Sequence, residues 1–169
     1  MTAAPEILFS ESEIAERVTR LAAEIAPLKP DMAVPILSGA FVFAADLLRA
    51  LARQGLSLPL EFLWLRSYRA QQAGEILVLA EPSENVRGKK ILLLDGVLDK
   101  GHTIVKARML LKDAGAASLI TTVAVDKLRS DAVIHADFAM FQGIADFVVG
   151  YGMDHAGKHR GLPYIGSAA

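Results

Sequence analysis

The chain has 169 residues, 53% of them hydrophobic and 22% charged, with a formal net charge of -1. That length suits one good core and is short for two, and so small a net charge argues against a nucleic-acid partner held by a broad basic face. With no cysteine there is no disulfide framework, thiolate nucleophile or cysteine-based metal site. No apolar run has the length needed to cross a bilayer, and the N-terminus lacks the basic lead-in of a secretion signal. The expectation is one cytoplasmic domain over 1–169, with no membrane partner.

Ser10-Glu11-Ser12-Glu13 reads as a capping box, and Ile14, Val18, Leu21 and Ile25 then recur at helical spacing. This predicts an amphipathic first helix that ends before Pro27. Met32 to Leu37 reads as a buried strand and Ser38-Gly39 as a tight turn. Phe41 to Arg53 follows as a helix with Phe43, Leu47, Leu48 and Leu51 inward, ended by Gly55. Leu58 to Leu65 is the next expected strand. A polar stretch from Arg66 to Glu75 and a short strand from Ile76 to Leu79 then suggest a hairpin-like excursion with a mobile tip. Beyond the Glu81 to Arg87 loop, Ile91 to Leu94 predicts a buried central strand, Thr103 to Ala114 a helix capped by Gly115, and Ser118 to Val125 another strand. Strands and helices alternating in this order specify an α/β fold, a mostly parallel central sheet flanked by helices.

The junction after the central strand is the most informative stretch. In Ile91 to Thr103, reading ILLLDGVLDKGHT, Asp95 and Asp99 leave the carboxyl end of the strand, and a glycine and a threonine open the helix. There the backbone N–H groups of Lys100, Gly101, His102 and Thr103 can point at one anion. The helix dipole and the Thr103 hydroxyl add to the attraction, so the junction suits a phosphorylated sugar. A phosphatase of the haloacid dehalogenase kind needs an aspartate nucleophile where this chain has Leu93, and no Walker-type P-loop occurs.

These residues resemble the phosphoribosyl pyrophosphate signature of the purine phosphoribosyltransferases. Gly96 stands where that family usually has a second acid, and Lys100 where it usually has Ser or Thr. Further segments fall into family order over roughly residues 7 to 166, most like the bacterial hypoxanthine-guanine members. The resemblance implies the type I phosphoribosyltransferase fold, with a small hood formed by the chain ends and a mobile lid carrying Ser67 and Tyr68. It also implies a homo-oligomer, dimer or tetramer, and Mg2+ as cofactor.

The implied activity is transfer of 5-phosphoribosyl from phosphoribosyl pyrophosphate to hypoxanthine or guanine. Asp99 would take the proton from the attacking purine nitrogen. Asp95 would hold the ribose hydroxyls, and Lys100, Gly101, His102 and Thr103 the 5′-phosphate. Leu37, Ser38 and Gly39, in a turn with an unusual peptide bond, would meet the pyrophosphate together with Arg160. Lys127 would donate to the exocyclic oxygen of the base, Phe147 would stack on it, and Val148 would offer backbone groups to its edge. Asp154 would lie near the pyrophosphate magnesium. Losing an acid at Gly96 would weaken the ribose site, with Lys100 adding charge beside the phosphate. The competing class is a low-activity or regulatory homologue that binds a nucleotide or phosphoribosyl pyrophosphate. His102, His135, His155 and His159 form no paired helical metal motif.

Overall fold

The computed structural model describes residues 4–67 and 76–168. The expected mobile tip, and Tyr68 with it, lie outside the described residues.

The capping box forms as its spacing dictates: Ser10 Oγ accepts from the Glu13 N–H at 3.3 Å, and Glu13 Oε2 accepts from the Ser10 N–H at 2.8 Å. Helix α1 (Glu11–Ile25) therefore starts there and buries Ile14, Val18, Leu21 and Ile25. Strand β2 (Met32–Leu37), helix α2 (Phe41–Arg53), strands β3 (Leu63–Ser67), β4 (Ile76–Ala80) and β5 (Lys90–Leu98), helix α3 (His102–Asp113), and strands β6 (Ser118–Asp126) and β7 (Phe138–Gln142) make the main body. Its six-stranded sheet runs β4-β3-β2-β5-β6-β7, with only β4 antiparallel to its neighbour. Leu92 and Leu94 of β5 pack with α1 and α2 on one face, while Ile91 and Leu93 pack with α3 on the other. An unbroken apolar run in β5 is what a strand covered on both faces needs. The chain ends pair in a second, antiparallel sheet of β1 (Glu6–Phe9), β9 (Ile165–Ser167) and β8 (Val148–Val149), which is the expected hood.

Several boundaries differ from expectation, three of them near the cleft or with a plain physical reason. Strand β3 begins at Leu63, not Leu58, because Pro59 has no N–H to donate to a ladder; before Leu63 only Leu60 bridges to Ala33. Strand β5 continues past Leu94 to Leu98, since Val97 and Leu98 still pair with Val125 and Asp126. Asp95 therefore lies inside a strand instead of leaving its end. Helix α3 begins at His102, preceded by Gly101 at φ 89°. Strands β1, β7 and β9 have no counterpart in the sequence reading, because each is at most five residues long and so short a run shows no usable periodicity.

Candidate active site

From β2 the chain crosses to β3 on one side of the sheet, and from β5 it crosses to β6 on the other. The crevice outside the carboxyl ends of β2 and β5 is thus a topological switch point, where ligands bind in open α/β sheets. A cleft of about 1000 Å³ opens there. Leu37, Ser38 and Gly39 line it from the turn after β2, Ser67 from the end of β3, and Asp95, Asp99, Lys100, Gly101, His102 and Thr103 from β5 and its loop. Lys127 lines it from the end of β6, and Phe147, Val148, Asp154 and Arg160 from the C-terminal segment. Every residue given a site role from sequence, Tyr68 apart, therefore lines one space.

The Leu37–Ser38 peptide is cis, in the turn where an unusual bond was expected. Asp95 is only 9% exposed, and its Oδ1 accepts from the Gly96 N–H at 2.7 Å. Burial pushes its carboxyl up to about 7 from 3.8, an effect the Gly96 N–H partly offsets. A raised carboxyl value means that burying the charged form opposes folding. The penalty is absent well below pH 3.8, grows as pH rises to about 7, and is constant above that. Asp95→Asn should therefore raise the melting temperature more above pH 7 than near pH 4, by an increment on the order of a few kcal/mol of stability. Thermal melts across that range check it, and an equal shift at every pH would contradict it.

Asp99 approaches Arg129, whose Nε lies 3.3 Å from its Oδ1. Arg129 also grips Asp131 with two hydrogen bonds, of 2.7 and 3.0 Å, which hold the Asp131 carboxyl down at about 2. Lys100 Nζ lies 3.7 Å from Asp131 Oδ2, so its charge is shared across the loop after β6 and not directed at the cleft alone. Sequence reasoning missed Arg129 and Asp131, because charged residues in a loop carry no spacing signal of their own. That loop is fixed by Asp126, 1% exposed, which accepts from the N–H groups of Leu128 at 2.9 Å and Ala136 at 3.2 Å. Lys127 in turn donates its N–H to Leu98 O at 3.0 Å. The N–H groups of Lys127 and of the residue after it are thus both anchored.

On the opposite wall the Phe147 and His155 rings meet edge to face, with centroids 5.3 Å apart. Asp154 Oδ1 pairs with Arg160 Nη2 at 2.7 Å, and its Oδ2 accepts from the Gly157 N–H at 2.7 Å. His155, weighed from sequence only as a metal ligand, also lines the cleft, as do Trp64 and Arg66, which were not singled out from sequence. Arg66 looked like the start of a polar excursion, which hid its position at the end of a strand. No group of three or more metal-ligating side chains gathers among the described residues, and no described helix is long and apolar enough to cross a membrane.

The phosphoribosyl transferase domain family matches residues 6–156 of the chain. The chain is similar to the hypoxanthine-guanine phosphoribosyltransferase of Dictyostelium discoideum, at 33% identity over 95% of this chain and 93% of the relative. It is similar to that of Bacillus subtilis at 34% identity, over 95% and 91%. Among solved structures it resembles the hypoxanthine phosphoribosyltransferase of Staphylococcus aureus, with a TM-score of 0.87, 29% identity and coverage of 97% and 91%. The Trypanosoma cruzi hypoxanthine phosphoribosyltransferase, in complex with its product IMP, matches with a TM-score of 0.88, 29% identity and coverage of 99% and 95%.

Proposed function

Since the chain belongs to the phosphoribosyltransferase family, we propose that it moves a 5-phosphoribosyl group from phosphoribosyl pyrophosphate to hypoxanthine or guanine, releasing pyrophosphate and giving IMP or GMP for purine salvage. The observation that carries this reading is that an anion-binding loop, a carboxylate, a lysine and an aromatic ring, read separately in the sequence, line one cleft.

The backbone N–H groups at the start of α3 lack helical acceptors and hold the 5′-phosphate. Asp95 accepts from the ribose hydroxyls. Asp99 takes the proton from the attacking ring nitrogen, and Lys127 donates to the 6-oxo group, stabilising charge that grows there. Phe147 stacks on the base and Val148 offers its backbone to the base edge. Leu37 to Gly39 and Arg160 receive the pyrophosphate, and the lid with Ser67 and Tyr68 excludes water.

Magnesium fits this donor set, because it binds through one or two carboxylates plus substrate phosphates, and Asp154 supplies such a carboxylate with Asp95 lining the same cleft. When bound, it supplies neutralisation of charge on the leaving pyrophosphate. Cytoplasmic location and a homo-oligomer, dimer or tetramer, belong to the same proposal. Exposed Phe62, Trp64, Leu77 and Leu79 along the β3–β4 edge offer apolar surface for such an interface.

Gly96, which leaves the ribose site one acid where the family usually has two, favours the second reading, a homologue that binds but turns over poorly. Single-turnover reactions with magnesium, phosphoribosyl pyrophosphate and each base separate the two. The first reading expects nucleotide from hypoxanthine or guanine and none from uracil or orotate. Binding without product from any purine, or equal use of a pyrimidine, contradicts it.

A further inference from the structure

Gly96 looks, from sequence, like a lost carboxylate. That reading leaves out the space around it. A Cβ on Gly96 would lie 2.7 Å from Gly39 O, 3.1 Å from Gly39 C and 3.2 Å from Met153 Cγ. A Cβ on Gly152 would lie 2.7 Å from the same Gly39 oxygen. Non-bonded carbon and oxygen do not approach that closely, so the Gly39 carbonyl fills a slot between two positions that carry no side chain. Gly39 itself is not so restricted, since its own Cβ would meet nothing nearer than Asp95 Oδ1 at 3.8 Å.

The slot reaches further. The Gly152 N–H donates to Arg160 O at 2.9 Å, and Arg160 Nη1 donates to Gly152 O at 2.7 Å. One contact point thus ties together the turn after β2, the acid-bearing part of β5 and the arginine of the C-terminal segment.

We propose that Gly96 and Gly152 are positioning residues that seat the Leu37–Gly39 turn and Arg160 for the pyrophosphate half of the substrate. The inference rests on the proposed function, which makes that turn and Arg160 the pyrophosphate site. It explains why the acid usual at position 96 is missing here: its side chain would stand where the Gly39 carbonyl lies. Restoring it as Gly96→Asp would push the turn outward and set a carboxylate against a carbonyl oxygen, so binding falls and does not rise.

The test is calorimetric titration of phosphoribosyl pyrophosphate with magnesium, and separately of guanosine monophosphate, which has no pyrophosphate. Gly96→Ala is expected to weaken the first by about tenfold or more, equivalent to 1.4 kcal/mol, and to leave the second unchanged. Adding Met153→Ala removes the 3.2 Å contact but not the 2.7 Å one, so the double variant keeps the defect. It also serves as the reporter if crowding of Met153 prevents the single variant from folding. Unchanged binding of phosphoribosyl pyrophosphate, equal loss for both ligands, or rescue by Met153→Ala overturns the proposal. Wild-type protein that binds neither ligand overturns the proposed function as well, which separates the two failures.

Discussion

Asp99→Asn is expected to lower turnover by roughly 10²- to 10⁴-fold while leaving nucleotide binding largely intact, the range a positioned general base contributes. Asparagine keeps the size of the side chain and removes its ability to take a proton. The residue sits in the loop between β5 and α3, so no core contact is lost. Its cationic neighbour is not stranded either, because Arg129 keeps both of its hydrogen bonds to Asp131. Single-turnover rates beside binding isotherms measure the effect. Turnover near that of the wild type would remove Asp99 from the mechanism.

Asp126→Ala should cost stability directly. It strips acceptors from the N–H groups of Leu128 and Ala136 beneath a side chain that is 1% exposed. Each part-buried donor left unpaired costs about 1–3 kcal/mol, so a total of roughly 2–6 kcal/mol is the upper range expected. Those two bonds also fix the loop that begins at Lys127, so base binding should weaken more than binding of phosphoribosyl pyrophosphate. Denaturant unfolding gives the first quantity and titration with guanine the second. A loss well under 1 kcal/mol would show that water or a rearranged loop satisfies both donors.

The parts of the molecule legible in the sequence are those whose signal is local. Helix α1 announces itself by its capping box, β5 by its apolar run, and the cleft by two contiguous stretches around residues 91–103 and 146–160. What stayed hidden depends on residues far apart in the chain. Gly96 has its meaning only beside Gly39 and Gly152, which approach it from the turn after β2 and from the C-terminal segment. Lys100 reads as added charge for a phosphate until Asp131 is found 3.7 Å away. The Asp99–Arg129 contact and the grip of Asp126 on its loop are likewise products of the fold. The short strands β1, β7 and β9 form because partners elsewhere in the chain accept them, not because their own residues demand it.

A crystal structure with guanosine monophosphate bound tests the architecture of the site most directly. The 5′-phosphate should rest on the N–H groups of residues 100–103, and the guanine ring on Phe147. Its 6-oxo group should lie within hydrogen-bond reach of Lys127 Nζ, with the ring nitrogen bonded to ribose facing Asp99. A phosphate away from the loop, or a base that touches neither Phe147 nor Lys127, would contradict the assignment.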